Sequence, residues 1–389
     1  MTEFALYPPL KRRHLLGAIG AGGVSLFAPC LAFAASTETD RRFLFVIQRG
    51  AADGLSALAP IGDAAFHEIR GALADDFNDA PKIDGMFALH PALENIGRLY
   101  AANQALFVHA AASPYRDRSH FDAQDVLETG GSLPYQLHDG WMNRFLALLP
   151  GSTRAMAVGA TVPMALRGKI DVPSYGNSAL PEANEELLQR VGALYSADPQ
   201  LKGLWDASMQ ARGMAMGDAE KGQDPAALGR LAAKLMSGPA GARVAMVETS
   251  GWDTHFNQRG RLTNQFKQLD LMIAALKEGL GPDWSRTLVL VATEFGRTVA
   301  INGTQGSDHG TGSMAMLLGG AVAGGRVVSD WPGLKKNQLY EGRDLRPTIS
   351  LDSLIAGALG SHFAIDPAQI MATSFPGSRE RALEGLVKV

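Results

Sequence analysis

The chain is 389 residues long, 46% hydrophobic and 19% charged, with a formal net charge of −3. That length and composition fit an ordinary globular protein with a large core. The near-neutral balance gives no global electrostatic bias towards nucleic acid, and no Lys/Arg-rich tract occurs outside the extreme N-terminus.

The N-terminus reads as a targeting segment. Lys11-Arg12-Arg13-His14-Leu15-Leu16 precedes an apolar, Gly/Ala-rich stretch up to Ala34, and Ala32-Phe33-Ala34 offers an A-x-A-like cleavage site. The paired Arg12-Arg13 before a weakly hydrophobic segment marks residues 1–34 as a twin-arginine signal peptide. The expected location is the periplasm or the medium. The alternative is an uncleaved anchor: the stretch is close to spanning length, but its glycines and Pro29 argue against it. No stable membrane span is expected after cleavage. Cys30 is the only cysteine and lies inside the signal, and Pro29 before it spoils a lipoprotein box. A cleaved chain would carry no disulfide, no thiolate ligand and no Cys nucleophile.

Beyond the signal, short apolar runs break off into small polar clusters. Residues 43–47 read as a strand and end in Gln48-Arg49-Gly50-Ala51-Ala52-Asp53-Gly54. Residues 91–100 have helical character. The run 105–112 is a second strand and ends in Ser113-Pro114-Tyr115-Arg116-Asp117-Arg118-Ser119, after which 120–129 reads as a helix capped by Ser119. Residues 178–240 are rich in Ala, Gln, Glu and Met, contain no convincing strand, and read as a helical insertion capping the sheet edge. Strand-like 244–247 ends in Glu248-Thr249-Ser250-Gly251-Trp252-Asp253-Thr254-His255. Residues 262–280 are the clearest helix, with Phe266, Leu269, Met272, Ile273, Leu276 and Leu280 at three- and four-residue steps. Strand-like 287–292 ends in Thr293-Glu294-Phe295-Gly296-Arg297-Thr298, and Gly306-Ser307-Asp308-His309-Gly310 precedes the run 314–318. Alternating strands and helices predict an α/β fold, a mostly parallel sheet with helices on both faces, in one domain over 35–389. Parallel strands end at one shared edge, so these distant clusters can converge on one site.

The clusters carry metal-ligand chemistry. In extended backbone, Asp253 and His255 point the same way and can reach one ion; equally, Asp253 can cap a turn and leave His255 at the surface. Asp308-His309 lies in a Gly/Ser/Thr-rich loop that allows close approach to a ligand, or simply makes a tight turn. Glu294 follows the best strand, with Arg297 placed to pair with it. Asp53 holds the same position after the first strand, where it is also a turn former before Gly54. Ser119 would start a helix, where N–H groups and the dipole favour an anion. His120 suits a ligand or a base, and Arg116 or Arg118 suits an oxyanion. Three carboxylates and two histidines at strand ends and adjacent loops match what a divalent-metal hydrolase needs.

From about Arg42 to about Pro376 the chain resembles DUF1501, a family of exported bacterial proteins of unknown function grouped with the alkaline phosphatase-like (and sulfatase) superfamily. The marks are the cluster at 48–54, Arg118-Ser119-His120-Phe121-Asp122-Ala123-Gln124, Asp139-Gly140-Trp141, Gly251-Trp252-Asp253-Thr254-His255, Thr293-Glu294-Phe295-Gly296-Arg297-Thr298, Ser307-Asp308-His309-Gly310 and Asp330-Trp331-Pro332-Gly333-Leu334. The superfamily pattern implies two divalent ions. It implies Asp253, His255 and His309 at the first ion, Asp53 and Glu294 at the second, and Ser119 as nucleophile. Two departures stand out. Phe295 occupies the place of a histidine ligand, and a single residue separates Asp253 from His255. His120 is placed to compensate.

The expected function is therefore divalent-metal-dependent hydrolysis of phosphate or sulfate esters. Zinc is the expected ion, with magnesium, manganese or calcium as alternatives. Ser119, His120 and Arg118 would be catalytic, acting on a small ester or an envelope polymer. The other expectation is a non-catalytic binding or assembly protein of the cell envelope on a decayed phosphatase fold, with an exported DUF1800 protein as partner.

Overall fold

Residues 43–47 lie in a strand whose side chains feed two cores at once. The computed structural model describes residues 39–388, apart from positions 81, 152, 177–184, 197, 200, 204, 207 and 210–223. The expected signal peptide lies outside the described residues. Strand β1 (Arg42–Gln48) is buried throughout. Its period of two sends Leu44 and Val46 into one core and Phe43, Phe45 and Ile47 into the other.

β1 lies near the middle of a nine-stranded sheet. Beyond it in the chain come the short antiparallel pair β2 (Leu58–Ala59) and β3 (Ala88–Leu89), which stand apart from that sheet. The remaining sheet strands are β4 (Ala105–Ala112), β5 (Ala155–Val158), β6 (Ser174–Tyr175), β7 (Val244–Thr249), β8 (Thr287–Ala292), β9 (Ser313–Leu318), β10 (Arg326–Val328) and β11 (Ile349–Ser350). Their order is β10-β4-β9-β8-β1-β7-β5-β6, with β11 also on β4. Every pairing is parallel except those of β9, which runs antiparallel to both β4 and β8.

Helices cover both faces, as the alternating pattern predicts. Glu94–Ala101, Pro225–Met236 and Gln258–Leu280 pack on one face. Trp141–Leu146, Leu351–Phe363 and Pro367–Ser374 pack on the other. Of the stretch expected as an insertion, part lies outside the described residues. Its described helices include Glu185–Tyr195 and Pro225–Met236. The second starts at Asp224, whose side chain accepts from Ala226 N at 3.0 Å, with Pro225 following. It buries Leu231, Leu235 and Met236 in the main core beside Gln258–Leu280. No helix among the described residues is long and apolar enough to cross a membrane.

The direction of β9 matters for the site. Parallel strands deliver the loops that follow them to one edge of the sheet. An antiparallel strand delivers the loop that precedes it to that same edge, so residues 306–312 meet the ends of β1, β7 and β8.

Candidate metal centre

Three of the four contributing loops follow parallel strands. Residues 113–119 lead from β4 into helix His120–Thr129. Ser119 occupies the N-cap position in extended conformation, yet its side chain makes no capping hydrogen bond, contrary to expectation. Its backbone carbonyl accepts the ordinary first helical bond, from Ala123 N at 2.9 Å. The loop after β7 carries Asp253 and His255, and the turn after β8 carries Glu294, Phe295 and Arg297.

The loops pack backbone to backbone. Gly50 has φ +116°, and a Cβ there would lie 2.6 Å from Asp253 N. Only glycine lets the β1 loop sit under the β7 loop. Thr293 Oγ1 donates to Gln48 O at 2.7 Å and accepts from Ala52 N at 3.0 Å, tying the end of β8 to the β1 loop.

At the centre, ligand atoms of His120, Asp253 and His309 all lie within 4.8 Å of one another. His309 Nε2 is 3.0 Å from His120 Nε2 and 3.4 Å from Asp253 Oδ1. His255 joins them, its Nε2 being 3.0 Å from both His309 Nε2 and Asp253 Oδ1. The opposite nitrogen of each ring has an acceptor. His120 Nδ1 lies 2.8 Å from Glu294 Oε1, His255 Nδ1 lies 3.1 Å from Asp308 Oδ1, and His309 Nδ1 lies 3.0 Å from Arg118 O. A backbone carbonyl can only accept, so Nδ1 of His309 carries its proton, and the two carboxylates favour the same tautomer in the other rings. Neutral rings of that kind turn three Nε2 lone pairs and the Asp253 carboxylate towards one another. Such a set repels itself unless a cation or added protons lie between. Three imidazole nitrogens and one carboxylate oxygen are a donor set suited to zinc.

The charges around the centre have definite causes. Partial burial opposes the charge of Asp253, but the guanidinium of Arg297, donating from Nη1 to Oδ1 at 2.8 Å, holds its pKa below the ordinary carboxylate value. Burial likewise opposes the charge of Glu294, and hydrogen bonds from His120, Gln124 and Gly50 hold it ionised below the usual range. The Glu294 contact raises the pKa of His120. Burial, followed by the neighbouring His120, lowers that of His309. Phe295 stacks on His120 with ring centroids 4.9 Å apart and lies 5.3 Å from His309, forming an apolar wall.

Of the residues expected at the site, His120, Asp253, His255 and His309 come together. Glu294 stands one layer out, behind His120. Asp53 is not among the facing groups. It is 1% exposed and caps the short helix Gly54–Ala57, with its carboxylate bonded to Arg70, Ser56 and Gln258. Arg118, expected to hold an oxyanion, pairs with Asp344 at 2.8 Å and Glu341 at 2.5 Å. Arg297 pairs with Asp253 rather than Glu294, because its Nε also donates to Ser307 Oγ at 3.0 Å and fixes it on that side. The sequence reading missed Asp308 and Arg297 as supports of the ligands. Asp308 has a sequence signal, since it directly precedes His309.

No functionally curated protein matches the sequence. Among solved structures, the zinc complex of the C-terminal periplasmic domain of EcEptC from Escherichia coli is 9% identical, with a TM-score of 0.40, covering 73% of this chain and 74% of that one. Alkaline phosphatase from the Antarctic bacterium TAB5 is 12% identical, with a TM-score of 0.36 and coverages of 72% and 92%. A putative sulfatase from Bacteroides thetaiotaomicron is 10% identical, with a TM-score of 0.39 and coverages of 89% and 76%. Scores this low transfer no activity. The sequence itself matches the family described as "Protein of unknown function (DUF1501)" over residues 112–373, a segment that carries His120, Asp253, His255, Glu294 and His309. That match spans well over half of the chain, which therefore belongs to the DUF1501 family.

Proposed function

We propose that this protein is an exported, divalent-metal-dependent hydrolase of phosphate or sulfate esters. The observation that carries the reading is the convergence of three imidazole Nε2 atoms on Asp253, each ring backed by an acceptor at Nδ1. His120, Asp253, His255 and His309 would hold the ion, zinc before magnesium, manganese or calcium, because hard cations prefer all-oxygen sets. The ion would supply positive charge where an anionic ester gains charge in the transition state. Ser119, at the start of helix His120–Thr129, is the nucleophile in this reading, since N–H groups and the helix dipole favour its anion. Arg118 would reach the ester only by leaving Glu341, the more exposed of its two partners. The test is elemental analysis of the purified protein with a screen of phosphate and sulfate esters. Stoichiometric metal and hydrolysis lost in Asp253→Ala and His309→Ala, with the fold retained, are expected. Absence of metal would sink the proposal.

The engagement of Arg118 with two carboxylates favours a second reading, a non-catalytic binding or assembly protein of the envelope, with an envelope polymer or an exported DUF1800 protein as partner. Rescue of a deletion phenotype by the Asp253→Ala/His309→Ala double variant would favour it over the enzyme. In both readings residues 1–34 direct twin-arginine export. Replacing Arg12 and Arg13 by Lys should leave the protein in the cytoplasm; undiminished export would refute that route.

A further inference from the structure

We infer that the centre is built for a single ion, and that Glu294 is a positioning residue for His120 rather than a ligand of a second ion. This rests on the metal-binding part of the proposed function. A carboxylate ligand needs a free lone pair directed at the ion, and a carboxylate has about four such sites. The Glu294 oxygen that meets His120 has none to give. This Oε1 accepts from Gly50 N at 2.8 Å and Gln124 Nε2 at 3.1 Å, and lies 2.8 Å from His120 Nδ1. Glu294 Oε2 is packed against Thr293 Oγ1, 2.9 Å away, and with the side chain 0% exposed it is burial that keeps this oxygen from an ion.

The other candidate for a second ion is closed in the same way. Asp53 Oδ1 accepts from Leu55 N at 3.0 Å and Ser56 N at 3.4 Å. Its Oδ2 accepts from Ser56 Oγ at 2.9 Å, from Gln258 Nε2 at 2.5 Å and from Arg70. Arg70 is itself buried and neutralises this carboxylate. By contrast, the Asp253 side chain is 43% exposed, and its Oδ2 has only His120 Nε2 nearby, at 3.6 Å. The carboxylate left open is the one among the imidazoles. What Glu294 does is fix the proton of His120 on Nδ1, turning Nε2 to the centre and holding the ring against Phe295. Carboxylates placed behind ligand histidines act in this way, and their loss typically weakens metal binding about 10–100-fold without removing a ligand.

The test uses the purified full-length chain, stripped with a chelator and titrated with zinc. One zinc per chain is expected. Glu294→Gln, which keeps the shape but removes the charge, should still bind one zinc with about 10–100-fold weaker affinity. The visible spectrum of its cobalt form should match wild type, because the ligand set is unchanged, whereas Asp253→Asn should alter both the spectrum and the affinity. Circular dichroism verifies folding of each variant. Two zinc ions per wild-type chain, no zinc at all, unchanged affinity in Glu294→Gln, or a cobalt spectrum changed by it would each overturn the inference. A chain that binds one zinc but cleaves no ester would refute the hydrolase and leave this inference standing.

Discussion

Asp53 and Asp253 follow neighbouring parallel strands, yet one is a buried strut and the other an open ligand. Partners decide the difference. Asp53 meets a guanidinium inside the core, so burial, which opposes its charge, is outweighed by Arg70 and its hydrogen bonds, and its pKa lies below normal. Asp352 shows the opposite balance. It sits buried in the first turn of helix Leu351–Phe363, where burial, reinforced by Glu380 and only partly offset by a hydrogen bond from Ser378, pushes its pKa up to about 7. The sign of the effect on stability follows directly. Below about pH 4 the carboxyl is protonated in both folded and unfolded chains, and folding suffers no penalty. Between there and pH 7 the unfolded chain loses the proton while the folded chain keeps it, so stability falls as pH rises, by about 4 kcal/mol in all. Asp352→Asn should therefore raise the melting temperature at pH 8 and leave it nearly unchanged at pH 3.5. An equal gain at both values would rule out ionisation as the cause.

At the scale of elements, the strands that order the site were legible, because a strand buried on both faces reads as an unbroken apolar run. The runs 43–47, 105–112, 244–247 and 287–292 correspond to β1, β4, β7 and β8, and 120–129 to the helix at the site. The short strands β5, β6, β10 and β11, of two to four residues, left too little pattern to read. The meeting of His120, Asp253, His255 and His309 followed from their places at strand ends. Their division of labour did not, because side-chain direction beyond a strand's last residue depends on the turn. Glu294 turns back towards Gly50 and Gln124, and nothing local in the sequence says so. Asp53 finds its partner Arg70 at the end of helix Phe66–Arg70, a tertiary contact with no periodic signature. The direction of β9 had one clue: its polar cluster comes before the apolar run, whereas every other cluster follows one. The loops on either side of that strand's entry also meet very closely, since a Cβ on Gly296 would lie 1.8 Å from Gly312 O. Residue 296 is thus fixed as glycine by the approach of two backbones, and with it the distance between Phe295 and His309.

For the whole molecule, the centre joins segments far apart in the chain. His120 opens the helix that follows β4, Asp253 and His255 belong to the loop after β7, and His309 to that before β9, the last held by Gly296 N donating to Thr311 O and Gly310 N to Gly296 O, both at 2.8 Å. An ion bound by all of them exists only in the folded chain, so its binding energy adds to folding. At a free concentration one hundred times the dissociation constant this amounts to about 2.7 kcal/mol. It also relieves the repulsion among the three Nε2 lone pairs and Asp253, which the metal-free fold must otherwise bear. Removing metal with a chelator should therefore lower the melting temperature of the purified protein, and adding zinc back should restore it in a concentration-dependent way. Asp253→Ala should respond to both treatments with a smaller shift, because the three imidazoles remain but the carboxylate on which they converge is lost. A wild-type chain whose melting temperature ignores both chelator and zinc would mean that these loops are held together by Arg297, Glu294 and the glycine contacts alone, with the histidines meeting for some reason other than an ion.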